Sequence, residues 1–176
     1  MFLSKSIDET ISTLHLPAMS APKHVLFVCT GNTCRSPMAE GLFRKATAGR
    51  GDYTVSSAGV SASNGTPASK ETLGILKKKG ALVDGFKSRM ITKEILESAT
   101  HVFAMTRSHL MALETRFPDY TDKFYLTCEF ADIPGEGIGA EVPDPIGMGR
   151  AAYEETAQVL EIAIPSIIAY IDKTAK

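Results

Sequence analysis

Cysteine is scarce in this chain, with Cys29, Cys34 and Cys128 the only three in 176 residues. An odd and sparse set does not describe a disulfide-stapled secreted scaffold, so each thiol is either core filler or a reactive group. Histidine is equally thin. His15, His24, His101 and His109 have no ligand spacing to one another or to the cysteines, which argues against a zinc site and leaves no metal or other cofactor expected. Net charge is close to absent, at −1, so no basic field recruits nucleic acid or acidic lipid. No apolar run approaches the roughly 20 residues of a membrane span. The opening MFLSKSIDETISTLHL carries acids where a signal peptide needs an unbroken apolar core. A cytoplasmic protein without nucleic-acid or membrane partners is the expectation.

What is present reads as an ordinary globular domain, 44% apolar and 22% charged, of a length that suits one substantial core and is short for two. HVLFV (24–28), YTVSSAG (53–59), HVFAM (101–105) and KFYLT (123–127) are short apolar, β-branched runs that fit strands buried on both faces. Helical periodicity fills the intervals. Ser36-Pro37 reads as an N-cap with proline at the first helical position, followed by Met38, Leu42, Phe43 and Ala46 on one face. Residues 68–79 repeat the helical period and stop at Gly80, and shorter helices fit 91–99 and the segment after HVFAM. A long helix fits 150–171, with a kink expected at Pro165. Strands alternating with helices imply a single three-layer α/β/α domain over residues 23–176, its four strands parallel and joined by right-handed crossovers. Residues 1–22 form an extension with its own helical stripe, Leu3, Ile7, Ile11 and Leu14, behind a Ser6–Glu9 capping box. Met19 offers an alternative start.

Ligands of such sheets bind beyond the carboxyl ends of the strands, and there the chain places CTGNTCRSP. A loop from Cys29 to Ser36, comprising Thr30, Gly31, Asn32, Thr33, Cys34 and Arg35 between them, joins a buried strand to a helix. Its N–H groups and the helix N-terminus suit a tetrahedral dianion. Gly31 permits a positive φ and Asn32 tolerates one. Arg35 can give two parallel hydrogen bonds to phosphate oxygens, which lysine cannot copy. Cys29 lies at the floor of the cradle, where N–H dipoles, Arg35 and the Ser36 hydroxyl favour thiolate over thiol. The chemistry that follows is in-line attack on phosphorus, a cysteinyl-phosphate intermediate and hydrolysis to inorganic phosphate. Asp144, held between prolines in VPDP, is the candidate general acid and then base, although Asp-Pro alone is common turn chemistry.

The whole set, VCTGNTCRSPMAE, VSSAGV, SATHVFAMTRSH and VPDP, resembles the low-molecular-weight protein-tyrosine-phosphatase family from about His24 to Ile171. The resemblance implies a four-stranded parallel sheet, no metal, a phosphorylated protein as substrate, Cys29 as nucleophile, Arg35 as phosphate clamp and Asp144 as general acid. It further implies that Asn32, Ser36 and Ser57 hold the loop and thiolate by hydrogen bonds, and that Cys34 protects Cys29 through a reversible disulfide. Two pocket positions depart from tyrosine-directed members, which usually carry an aliphatic residue at Thr33 and an aromatic at Ile146. Threonine at position 33 resembles the protein arginine phosphatase branch, which favours phosphoarginine over phosphotyrosine as substrate. Ile146 cannot stack on a phenyl ring, although the arginine branch also tends to carry an aromatic there. Phe86 stands where many members have histidine.

Competing readings fare worse. A thiol-dependent arsenate reductase needs two relay cysteines late in the chain, and only Cys128 is there. A non-catalytic phosphate-binding module would not require Cys29, Arg35 and Asp144 together. GEGIGA (135–140) and GMGRAA (147–152) mimic dinucleotide fingerprints but adjoin prolines and follow no strand, so both read as loops. Cys128 reads as small apolar filler.

Overall fold

Strand β1 (Lys23–Cys29) is the centre of the molecule: Val25, Leu26, Phe27 and Val28 are all fully buried. The computed structural model describes residues 22–174; the helix expected in the N-terminal extension lies outside them. Beside β1 run β2 (Tyr53–Gly59) and β3 (His101–Ala104), and β4 (Phe124–Leu126) pairs with β3. All three pairings are parallel, in the order β2-β1-β3-β4.

Because β1 alternates, its side chains feed two cores. Val25, Phe27 and Cys29 join Met38 and Phe43 of α1 (Arg35–Ala46) and Leu160 and Ile164 of α5 (Arg150–Thr174). Leu26 and Val28 face the other way, toward Leu96 of α3 (Lys93–Ser98) and Leu113 of α4 (Arg107–Arg116). Helices therefore cover both faces of the sheet. Helix α2 (Lys70–Lys78) begins at an N-cap, Ser69, that accepts the Thr72 N–H, and Gly80 takes a φ of 62° just past its end. Among the described residues no helix is long and apolar enough to cross a membrane.

Three local features differ from what the sequence predicts. Helix α1 starts two residues early, at Arg35, with Cys34 at the N-cap position and no side-chain cap; Ser36 does not cap because its hydroxyl is engaged by Cys29 and Asn32. Pro37 falls inside the first turn, where a missing N–H costs nothing. Helix α5 runs unbroken through Pro165, which faces solvent, so water can satisfy the carbonyl one turn back. The glycine-rich stretch after Cys128 folds into a small antiparallel hairpin, β5 (Asp132–Ile133) with β6 (Gly137–Ile138), instead of a plain loop.

The strand order reverses around β1, since its neighbours β2 and β3 lead away in opposite directions. That switch point opens a crevice at the carboxyl end of β1, where Cys29 stands.

Candidate active site

Cys29 ends β1 only 3% exposed, and the chain then turns over its sulfur. The turn is made by Asn32, the one described non-glycine residue with positive φ, at 55°. Gly31, the other residue of the loop that the sequence allows that conformation, does not adopt it. A methyl group on Gly31 would sit 3.7 Å from Thr33 Oγ1, an ordinary contact. The glycine that the loop requires is Gly59. Its added Cβ would collide with the Thr30 carbonyl oxygen and stand 2.8 Å from Ala62 Cβ. Close approach there lets the segment after β2 pin the loop, the Val60 N–H donating to Cys29 O and the Ser61 N–H to Thr30 O, each at 2.9 Å.

Two groups reach the sulfur. The Ser36 hydroxyl lies 3.0 Å from Cys29 Sγ, and the Asn32 N–H donates to it from 3.3 Å. At the rim, Arg35 is 5% exposed and its Nη2 donates to Asp144 Oδ2 across 2.7 Å. The other oxygen of Asp144 accepts the Ile146 N–H at 3.2 Å, an Asx turn that fixes the carboxylate over the loop. Cys29, Thr30, Gly31, Thr33, Cys34, Arg35, Asp144 and Ile146 together line a cavity of 240 Å³. Every pocket residue read from the sequence is thereby in one place, with Ile146 an exposed wall at the mouth.

Ser57 comes in from β2, behind the loop. Asn32 Nδ2 donates to Ser36 Oγ at 2.8 Å and to Ser57 Oγ at 2.9 Å, and Ser57 donates to Glu40 Oε2 at 2.7 Å. Arg44 Nη2 holds the other Glu40 oxygen at 2.8 Å. The Arg89 N–H donates to Asn32 Oδ1 at 3.0 Å, while its Nε donates to the Ser57 carbonyl at 2.9 Å. Burial raises the Glu40 carboxyl above its ordinary range, with the Ser57 bond and the Arg44 and Arg89 charges opposing. Phe86 lines the hollow that contains Glu40 and Arg89, offering them no polar atom.

Sequence reasoning did not find Glu40, Arg89, His109 or Tyr153. Glu40 had a signal, since Ser36, Glu40 and Arg44 follow one another at four-residue spacing on one helix face. His109, 6% exposed, places Nε2 2.7 Å from Thr30 Oγ1 and Nδ1 2.9 Å from Thr106 Oγ1. Burial and then the Arg35 charge lower its pKa to about 4, against the pull of Asp144 and Glu141. The Tyr153 hydroxyl, from α5, lies 3.4 Å from Cys34 Sγ, and burial pushes it up to about 12. All three cysteines are free, and Cys128 is fully buried in the core with its thiol pushed up to about 11 by burial.

Such a site, a sulfur under inward-facing donors with a guanidinium and a carboxylate at its mouth, suits a tetrahedral anion attacked from below. The family model for low molecular weight phosphotyrosine protein phosphatase matches residues 24–176. A protein-arginine-phosphatase of Geobacillus stearothermophilus is 39% identical over 144 residues, spanning 81% of this chain and 92% of that protein. The crystal structure of a low molecular weight protein tyrosine phosphatase from T. tengcongensis matches with a TM-score of 0.77 at 41% identity, covering 84% of this chain and 99% of that one. YwlE arginine phosphatase, as a cysteine-to-serine mutant with a phosphorylated active-site serine, matches with a TM-score of 0.77 at 34% identity, covering 86% and 97% respectively.

Proposed function

The chain belongs to the low molecular weight phosphotyrosine protein phosphatase family and is a cysteine-dependent protein phosphatase; from that premise we propose that it acts on phosphoarginine side chains, with Cys29 as the nucleophile. The observation that carries the proposal is the convergence on one cavity of Cys29, the Arg35–Asp144 pair and Thr33.

Cys29 Sγ attacks phosphorus in line while Arg35 and the loop N–H groups hold the equatorial oxygens. The P–N bond breaks as Asp144 gives its proton to the departing nitrogen, leaving a cysteinyl-phosphate. Asp144, now a carboxylate, takes a proton from water as that water attacks phosphorus; the S–P bond breaks and inorganic phosphate is released. Engagement of Arg35 by the dianion competes with the 2.7 Å contact to Asp144 and frees that carboxyl to face the departing nitrogen. Thr33 offers a hydroxyl and leaves room where an aliphatic side chain would fill the wall, and Ile146 supplies no ring to stack on a phenyl group. Cys128, sealed in the core, cannot serve as a relay thiol, which argues against arsenate reduction.

The test compares kcat/KM on phosphoarginine and phosphotyrosine in one peptide backbone, with Thr33→Ile beside the wild type. Preference for phosphoarginine that swings toward phosphotyrosine in the variant supports the reading. A wild type that already prefers phosphotyrosine overturns it. Cys29→Ser should abolish turnover yet still bind phosphate, and turnover persisting in that variant rules out the nucleophile.

A further inference from the structure

Behind Cys29, two groups at opposite ends of the buried hydrogen-bond chain have no choice of role. The Arg89 backbone N–H can only donate, and it points at Asn32 Oδ1. The Glu40 carboxylate, while ionised, can only accept, and it takes the Ser57 proton. Between these ends the Asn32 amide must turn Nδ2 toward both serines. Ser36 then receives a proton from Asn32 and has its own left to give. Its nearest recipient is Cys29 Sγ at 3.0 Å, with the Ala58 carbonyl farther off at 3.4 Å.

We propose that Glu40 is a positioning residue: as terminal acceptor of this chain it fixes the orientation of Asn32 and Ser36, so that Ser36 donates to the Cys29 sulfur. The role rests on Cys29 being the nucleophile. Without an acceptor at position 40, the Ser57 proton needs another home, and the group within reach is the Asn32 amide turned over, its oxygen toward the serines and its Nδ2 against the Arg89 N–H, whose bond to Asn32 is then given up. Ser36 would then donate to Asn32, and the sulfur would keep only the Asn32 N–H. Glu40 is 6% exposed, and a buried carboxylate is costly enough to need a reason. Its neighbours are arranged to keep it there. Arg44 meets it from one turn later in α1, Arg89 from the segment before α3, and Asp84 and Lys87 line the same hollow. Phe86 supplies no polar atom that would replace Ser57 as its donor.

The experiment follows iodoacetamide alkylation of Cys29 against pH, by peptide mass spectrometry on the full chain, in Glu40→Met and Glu40→Gln. Glu40→Ala replaces the methionine variant if that chain does not fold. Loss of the acceptor should raise the alkylation midpoint by about one pH unit, equivalent to a tenfold change, and lower kcat at neutral pH with little change in KM. The glutamine amide oxygen still accepts from Ser57, so Glu40→Gln should stay near the wild type. Adding Ser57→Ala to Glu40→Met removes the proton that must be rehoused and should bring the midpoint back. Charge alone predicts the opposite sign, because deleting a buried anion would lower the midpoint in both variants. A role confined to stability would lower Tm and leave the midpoint in place. Either result overturns the proposal. Alkylation is read without turnover, so the outcome is separate from that of Cys29→Ser.

Discussion

Arg35 Nη2 donates to Asp144 Oδ2 across 2.7 Å, with the arginine side chain 6% and the aspartate side chain 46% exposed. The phosphate clamp and the proton donor of the proposed reaction are thus each other's partners, and an incoming phosphate competes with Asp144 for the same guanidinium.

Removing that competitor should tighten anion binding while it damages catalysis. A half-exposed pair contributes about 0.2–1 kcal/mol, so Asp144→Asn should lower the inhibition constant for inorganic phosphate by up to about fivefold. The same variant should slow a poor leaving group by about 10²-fold or more and an activated aryl phosphate far less, since only the former needs the proton. Steady-state kinetics with phosphate as product inhibitor measures both. Equal slowing of the two substrates would make Asp144 a turn residue and nothing more.

The sequence was most legible where one pattern had one physical meaning. HVLFV is a strand because a run of that length, apolar on both faces, has no other stable home in an α/β domain, and CTGNTCRS was readable because its contacts are local in the chain. Legibility ends where partners are distant. Arg89 reaches Asn32 across 57 residues and Tyr153 reaches Cys34 across 119, and no local signal marks either. Propensity misled where chemistry outweighed it: Ser36 has every attribute of an N-cap, yet its hydroxyl serves the sulfur; and of the two residues able to take a positive φ it is Asn32 rather than Gly31 that does so, because its amide is anchored from three sides.

His109 links the site to acid stability. Its pKa falls from 6.5 to about 4 in the folded chain, through burial first and the Arg35 charge second, so the fold favours the neutral ring. Stability from this group is fully present above pH 6.5 and is lost progressively as pH falls from there to about 4. Replacement by glutamine keeps a polar group facing Thr30 and Thr106 without a titratable ring. The Tm of His109→Gln should therefore decline less than that of the wild type over this window. His24 and His101, also lowered by burial, titrate in both proteins and cancel in the difference. Curves that run parallel from pH 7 to pH 4 would show that His109 carries none of the loss.

Cys34 gives the final prediction. It lies five residues after Cys29 in the same cavity wall, 7% exposed and beside the Tyr153 hydroxyl. Peroxide converts a cysteine thiolate to a sulfenic acid, and a neighbouring thiol condenses with that acid to a disulfide, releasing water; without the neighbour, further peroxide carries the sulfur to sulfinic acid, which thiols do not reduce. Wild-type enzyme treated briefly with peroxide should regain most of its activity in dithiothreitol, and Cys34→Ala should regain almost none. Cys128, sealed in the core, has no access to Cys29, so Cys128→Ala should recover like the wild type. Mass spectrometry of the treated wild type should find a Cys29–Cys34 disulfide. Equal, irreversible inactivation of wild type and Cys34→Ala would leave Cys34 as packing beneath the loop.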